Sequence, residues 1–150
     1  MKRDQESLST AQRGFVPDAR LRVQGKFLFV ADEKFYVRGV TYGTFRPNEQ
    51  GEEFPALKIV NRDFARMAAN GVNAVRTYTP PPRWLLDAAQ RHGLRIMAGL
   101  PVERSVAFLD YRKCANSIEE MVRAEVRARA GHPAVLCYAI GNEIDRKSVV

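Results

Sequence analysis

Three times between residues 60 and 140 the sequence runs through the same cycle: a helical run with one apolar face, a glycine stop, then a short segment apolar at nearly every position. The first helix carries Phe64, Met67 and Ala68 and stops at Asn70-Gly71 before the strand 72–78. The second opens on Pro80-Pro81-Pro82, where proline suits a first turn. It carries Trp84, Leu85, Leu86, Ala88 and Ala89, stops at His92-Gly93, and gives way to the strand 94–100. The third opens on Ser117-Ile118-Glu119-Glu120, a capping-box pattern. Its stripe is Ile118, Met121, Val122 and Val126, and it stops at Gly131-His132-Pro133 before the strand 134–140. Helices apolar on one face, alternating with strands apolar on both, predict an α/β fold with a buried parallel sheet. Periodicity leaves a barrel and an open doubly wound sheet equally open.

Ahead of the cycle, residues 1–19 read as a flexible polar arm. Residues 21–41 hold three β-rich runs, expected to form a short hairpin followed by a first strand of the main sheet over 35–41. Residues 43–60 read as a long loop, with Glu49, Glu52 and Glu53 as its charged, solvated part. The formal charge of +7 raises the question of nucleic acid, but the basic residues are scattered and no binding motif accompanies them. Glu119 with Arg123 and Glu125 with Arg129 stand at the i,i+4 spacing of a solvated helix face. No nucleic-acid partner is therefore expected.

The two cysteines, Cys114 and Cys137, form neither a disulfide framework nor a metal-ligand spacing, and Cys137 reads as a small core residue. The N-terminus lacks the apolar stretch of a signal peptide, and no run approaches the roughly 20 apolar residues of a membrane span. A reducing, cytoplasmic setting is the expectation. No His/Cys/carboxylate cluster and no phosphate-cradling glycine loop implies a metal or an organic cofactor, so none is expected.

The chemistry concentrates in 131–143, GHPAVLCYAIGNE. An apolar strand ends in Gly-Asn-Glu, which puts an amide and a carboxylate where the chain leaves the sheet. Ligands of α/β folds bind at that end of the strands. A glutamate there, with its pKa raised by a second carboxylate, can protonate a leaving oxygen and later deprotonate water.

These residues resemble the retaining glycoside hydrolases of the large TIM-barrel clan, most clearly family 2. In that family the fourth strand follows His-Pro-Ser and ends in Asn-Glu. His132, Pro133, Gly141, Asn142 and Glu143 match, whereas Ala134 replaces the usual serine and Tyr138 stands where tryptophan is common. VRGVTYGTF (37–45), NGVNAVRTY (70–78) and HGLRIMAGLP (92–101) are similar to the first three strands of the family, in order. The resemblance covers about residues 27–144. It implies a partial (β/α)₈ TIM barrel, about strands 1 to 4, within a unit spanning 20–144.

The resemblance implies that Glu143 is the general acid/base and that Asn142 bonds the sugar 2-hydroxyl. It makes Arg76 the residue that orients the site carboxylates and lowers the pKa of the one that stays ionised. Tyr42 and Tyr78 would line the sugar site, although core packing is an equal reading for both. His132, at the start of its strand, reads as structural, His92 as a helix-end residue complementing the dipole, and Glu103 as part of a solvated loop. The implied substrate is an oligo- or polysaccharide. The chain also looks like the glycosidase-like N-terminal region of bacterial family 2 glycosyltransferases, where such a domain would serve polysaccharide synthesis. Residues 145–150 depart from the family and resemble a translated sequencing adapter, so a non-native tail is expected there. A barrel truncated on its C-terminal side, without the second carboxylate of a retaining pair, would be poorly stable and inactive.

Overall fold

The computed structural model describes residues 20–100 and 112–140. Two sheets are present among them. The first is a small antiparallel meander of β1 (Leu21–Gln24), β2 (Phe27–Val30) and β3 (Glu33–Lys34). Gly25, at φ +59°, occupies the turn between β1 and β2, and Ala31 takes a left-handed φ of 51° between β2 and β3. That second turn is held from outside. Arg22 donates from Nε to the Ala31 carbonyl and from Nη2 to Asp32, at 3.1 and 3.0 Å.

The second sheet is parallel, with β4 (Gly39–Thr41), β5 (Ala74–Thr77), β6 (Arg95–Gly99) and β7 (Val135–Ala139) in chain order. Helices α1 (Leu57–Ala69), α2 (Arg83–Arg91) and α3 (Arg112–Arg129) make the three crossovers. A doubly wound sheet reverses its strand order at a switch point. This sheet never does, so the structure decides for a partial barrel wall.

Register and packing separate the two faces. Val75, Ile96 and Ala98 join Val60, Phe64 and Leu85 in one buried cluster, so these strand positions face the helices. The alternate row, Thr41–Arg76–Met97–Cys137, runs across all four strands on the opposite face. Between β6 and β7 the register slips by one residue: Ile96 pairs with Val135, but Met97 pairs with Cys137. Leu136 is the extra residue. Accordingly Val135 and Tyr138, three apart, both pack against the helix-side cluster.

Three elements differ from the sequence reading. Only Gly39–Thr41 of the expected strand 35–41 joins the ladder. Just ahead of it the Asn73 side chain takes over the backbone, accepting from Arg38 N and donating to the Tyr36 carbonyl, both at 2.8 Å. Helix α1 starts at Leu57, inside the expected loop, with Ala56 as N-cap and no side-chain cap to betray it. Helix α3 starts at Arg112, five residues before the Ser117 capping box, because nothing in 112–116 stops a helix. The glycine stops do hold: Gly71, Gly93 and Gly131 have φ of +80°, +70° and +80° just past their helices.

Side chains tie the layers together. His132 accepts the Ala134 N–H at Nδ1, so its Nε2 carries the proton and donates to Asp87 of α2 at 3.0 Å. The pair Arg123–Glu119 is a solvated i,i+4 bridge as expected. Arg129 is not solvated: besides its bridge to Glu125, it donates to the Pro81 carbonyl at 2.6 Å, binding α3 to the entry of α2. His92 also departs from expectation. Burial first, then the charge of Arg91, lowers its pKa, and the ring pairs with Asn61 of α1 instead of serving as a cation. No helix among the described residues is long and apolar enough to cross a membrane.

Gly99 closes the wall. A β-carbon there would lie 2.3 Å from the Tyr78 carbonyl oxygen and 2.5 Å from that of Thr77, so only glycine lets the end of β5 lean over β6. Gly99→Ala is expected to cost about 2–3 kcal/mol or more by forcing backbone apart. Gly71→Ala meets open space and only the left-handed penalty, about 1 kcal/mol. Urea unfolding of the two variants checks the ranking, and a milder effect at Gly99 would contradict the close approach.

Candidate functional site

The candidate residues gather at the carboxyl ends of the parallel strands, because each strand delivers its last side chains there before the chain turns away. Two of the sequence-derived residues leave β5 at this rim. Arg76 lies on the face turned away from the helices, and its guanidinium stands 4.6 Å from the ring centre of Tyr78. Such a contact orients a cation at little desolvation cost, since the ring face attracts charge. The Arg76 carbonyl also accepts the Tyr42 N–H at 2.8 Å, which fixes the end of β4 beside that of β5.

Tyr42 is buried, with 6% of its surface exposed. Its ring meets Phe45 edge-on at 4.8 Å and Phe64 at 5.3 Å, and its hydroxyl donates to Asp63 of α1 at 3.0 Å. Asp63 is held in turn by Arg62 at 3.0 Å. Burial above all, then the hydrogen bond and charge of Asp63, pushes the Tyr42 phenol well above its ordinary range, against the weaker pull of Arg62. The hydroxyl is thus committed to the scaffold.

That ring and the ring of Tyr78 share a cleft of about 130 Å³ with Phe45, Phe54, Glu53 and Thr79. Its walls come from the β4–α1 connection and from the end of β5. Sequence reasoning passed over these partners. Glu53 read as a solvated loop residue, yet it is half-buried in the cleft wall. The missed signal was the run of aromatics, Tyr42, Phe45 and Phe54, in a connection that follows a strand end. Such connections carry function when a rigid scaffold positions them.

The remaining expectations sort plainly. Asn142, Glu143, Glu103, the arm 1–19 and the tail 145–150 lie outside the described residues. β7, which leads to the Asn-Glu pair, ends at this rim, where Leu100 N donates to the Ala139 carbonyl at 2.9 Å. Cys137 is half-buried on the Arg76 face, and burial raises its thiol pKa, which disfavours the thiolate. Tyr138 turns to the helices instead, its hydroxyl reaching the Val126 carbonyl of α3 at 3.4 Å. Among the described residues no group of three His, Cys, Asp or Glu side chains is placed to hold a metal ion.

Comparison with known proteins agrees with this geometry. The family model described as "Glycosyl hydrolases family 2, TIM barrel domain" matches residues 21–148. Among solved structures, the β-glucuronidase of Lactobacillus rhamnosus superposes with a TM-score of 0.70 at 21% identity, over 88% of this chain and 23% of that one. The β-glucuronidase of Ruminococcus gnavus in complex with D-glucaro-d-lactam gives 0.69 at 21% identity, over 85% and 22%. A β-glycosidase from Bacteroides vulgatus gives 0.66 at 13% identity, over 85% and 17%. The chain therefore spans less than a quarter of the length of these structures. No curated protein matches it.

The Tyr42–Asp63 bond makes a prediction about pH. The folded phenol is raised above its ordinary 10.0, so the folded chain keeps a proton that the unfolded chain gives up from about pH 10. The associated stability is fully present below that pH and falls as pH rises beyond it. Tyr42→Phe should lose about 1 kcal/mol at neutral pH and show a shallower alkaline decline. Denaturant unfolding at about pH 8 and about pH 10.5 tests this, and parallel declines in the two proteins would refute it.

Proposed function

This chain belongs to the glycosyl hydrolases family 2, TIM barrel domain, and from that membership we propose that the protein containing it hydrolyses O-glycosidic bonds with retention of anomeric configuration. The observation that supports this most is the Gly-Asn-Glu sequence, which follows directly on a strand whose end meets the rim occupied by Tyr78 and Thr79. Glu143 is three residues beyond Ile140 in sequence, and a fully extended chain of three residue steps spans at most about 11 Å.

In this reading Glu143 protonates the glycosidic oxygen as the bond to the anomeric carbon breaks. A second carboxylate, about 5–5.5 Å away, holds the sugar as a covalent ester. Glu143 then takes a proton from water, which attacks the anomeric carbon and releases the sugar. Asn142 bonds the 2-hydroxyl, a contact that tightens as positive charge develops on the ring. Arg76, held against Tyr78, supplies a fixed positive charge that keeps the nucleophilic carboxylate ionised. Tyr42 and Tyr78 contribute ring surface to the sugar site, and oligo- or polysaccharide is the substrate.

Glu143→Gln in the protein that contains this chain is expected to lower kcat by about 10²–10⁴-fold on substrates with poor leaving groups. The loss should be smaller on aryl glycosides whose leaving group needs no proton, and added azide should restore turnover, since an anion needs no general base. Arg76→Met should move the acid limb of the kcat/KM profile to higher pH, as the carboxylate loses its cation. Full activity in Glu143→Gln would remove the reading. The 150-residue polypeptide assayed alone is expected to show no turnover.

A further inference from the structure

The geometry points to a membrane-docking tip: the β1–β2 hairpin seats on an anionic lipid surface, on the side of the sheet opposite the rim where the candidate residues gather. This inference uses no sugar chemistry and stands apart from the hydrolase reading.

The meander is anchored at one end and bare at the other. Val30, at the end of β2, is 4% exposed, whereas Phe27, at its start, is 37% exposed. β1 follows the same gradient: Leu21, paired with Val30, is half-buried, and Val23 is 72% exposed. Between Val23 and Phe27 the chain turns through Gly25, where an added β-carbon would meet nothing within 4 Å. Gln24 pairs with Phe27, so Val23 and Phe27 lie on opposite faces of the hairpin. Single exposed apolar residues are ordinary on any surface. A pair on both faces of one bare turn is different, because nothing lying on one face covers both.

Charge is sorted along the same axis. No acidic residue falls between Leu21 and Ala31, and the two acids of the meander, Asp32 and Glu33, come where β2 turns into β3, at the anchored end. There Asp32 pairs with Arg22 at 3.0 Å. The tip holds Lys26 and Lys34, whose Nζ atoms lie 5.6 and 4.1 Å from the centre of the Phe27 ring. Tyr36, 63% exposed, follows two residues after Lys34. Aromatic bodies with ammonium groups beside them suit the headgroup layer of a bilayer, where rings meet the first acyl carbons and cations reach phosphate.

The two-faced tip selects the occupant. A soluble polyanion would lie along the Phe27 face and leave Val23 in water. A second copy meeting tip to tip would set lysines against lysines. A lipid surface surrounds the turn and covers both faces at once. The docking is peripheral, since no helix among the described residues is long and apolar enough to cross a membrane. The Tyr36 carbonyl accepts a bond from Asn73 at 2.8 Å, just before β5 begins, so the meander adjoins the amino-terminal side of the parallel strands. The docked hairpin leaves the carboxyl-end rim on the side away from the lipid.

The test is co-sedimentation of the 150-residue chain with vesicles of phosphatidylcholine, alone or with about 30% phosphatidylserine. The anionic vesicles should bind it at least about tenfold more tightly than the neutral ones. Lys26→Gln and Lys34→Gln should each weaken that binding by about fivefold, the worth of one cation near such a surface. Val23→Ser and Phe27→Ser should each weaken it by about threefold or more. Lys58→Gln removes an equal charge from exposed α1 and should change nothing. Far-UV circular dichroism checks that each variant keeps the fold. Binding to neither vesicle, equal binding to both, or an equal loss in Lys58→Gln would each overturn the tip. So would indifference to Val23→Ser with dextran sulfate binding as tightly as the vesicles, which would mark a one-faced polyanion site instead.

Discussion

Everything at the rim depends on the packing of one helix layer against one face of a four-stranded parallel sheet. Phe64 from α1 and Leu85 and Leu86 from α2 press on Val75, Ile96 and Ala98, and all six are almost wholly buried. Each large side chain contributes about 1.5–3 kcal/mol by leaving water. The same contacts commit the alternate strand positions to the opposite face. Arg76 stands on the face turned away from the helices only because Val75 and Thr77, its neighbours, are buried on the other.

Polar anchoring then does what apolar packing cannot, since hydrophobic contact fixes a face but not a register. Asn73 spans two backbone groups of the incoming chain before β4 and so sets where that strand begins. His132, with its tautomer fixed by the Ala134 N–H, refers the start of β7 to Asp87 on α2. Arg129 refers the end of α3 to the Pro81 carbonyl. These three sites lie at the amino-terminal side of the strands or around the helix ends.

The sheet was legible in the sequence because its cycle repeats and because each helix ends on a glycine that the backbone requires. The family was legible because four motifs occur in order, and the match over residues 21–148 agrees with them. What sequence could not reach depended on single long-range partners. Ala56 caps α1 with no side-chain hydrogen bond, so no signal marks where the helix begins. The commitment of Tyr42 to Asp63, twenty-one residues on, follows from how α1 lies across β4, which no local pattern encodes. Glu53 carried the composition of a solvated loop and was placed in a wall by the aromatic rings around it.

The extra residue in β7 has an effect out of proportion to its size. A strand alternates its faces strictly, so an insertion exchanges inside and outside for all that follows. Because Leu136 intervenes, Cys137 and Ala139 point with Arg76 and Met97 instead of toward α3. The two ends of β7 are thus out of phase: Val135 and Tyr138, three residues apart, both face the helices, and Cys137 and Ala139 face away from them. A sequence change that removed the irregularity would keep every residue type and every neighbouring strand, yet deliver the wrong parity to the chain leaving the sheet.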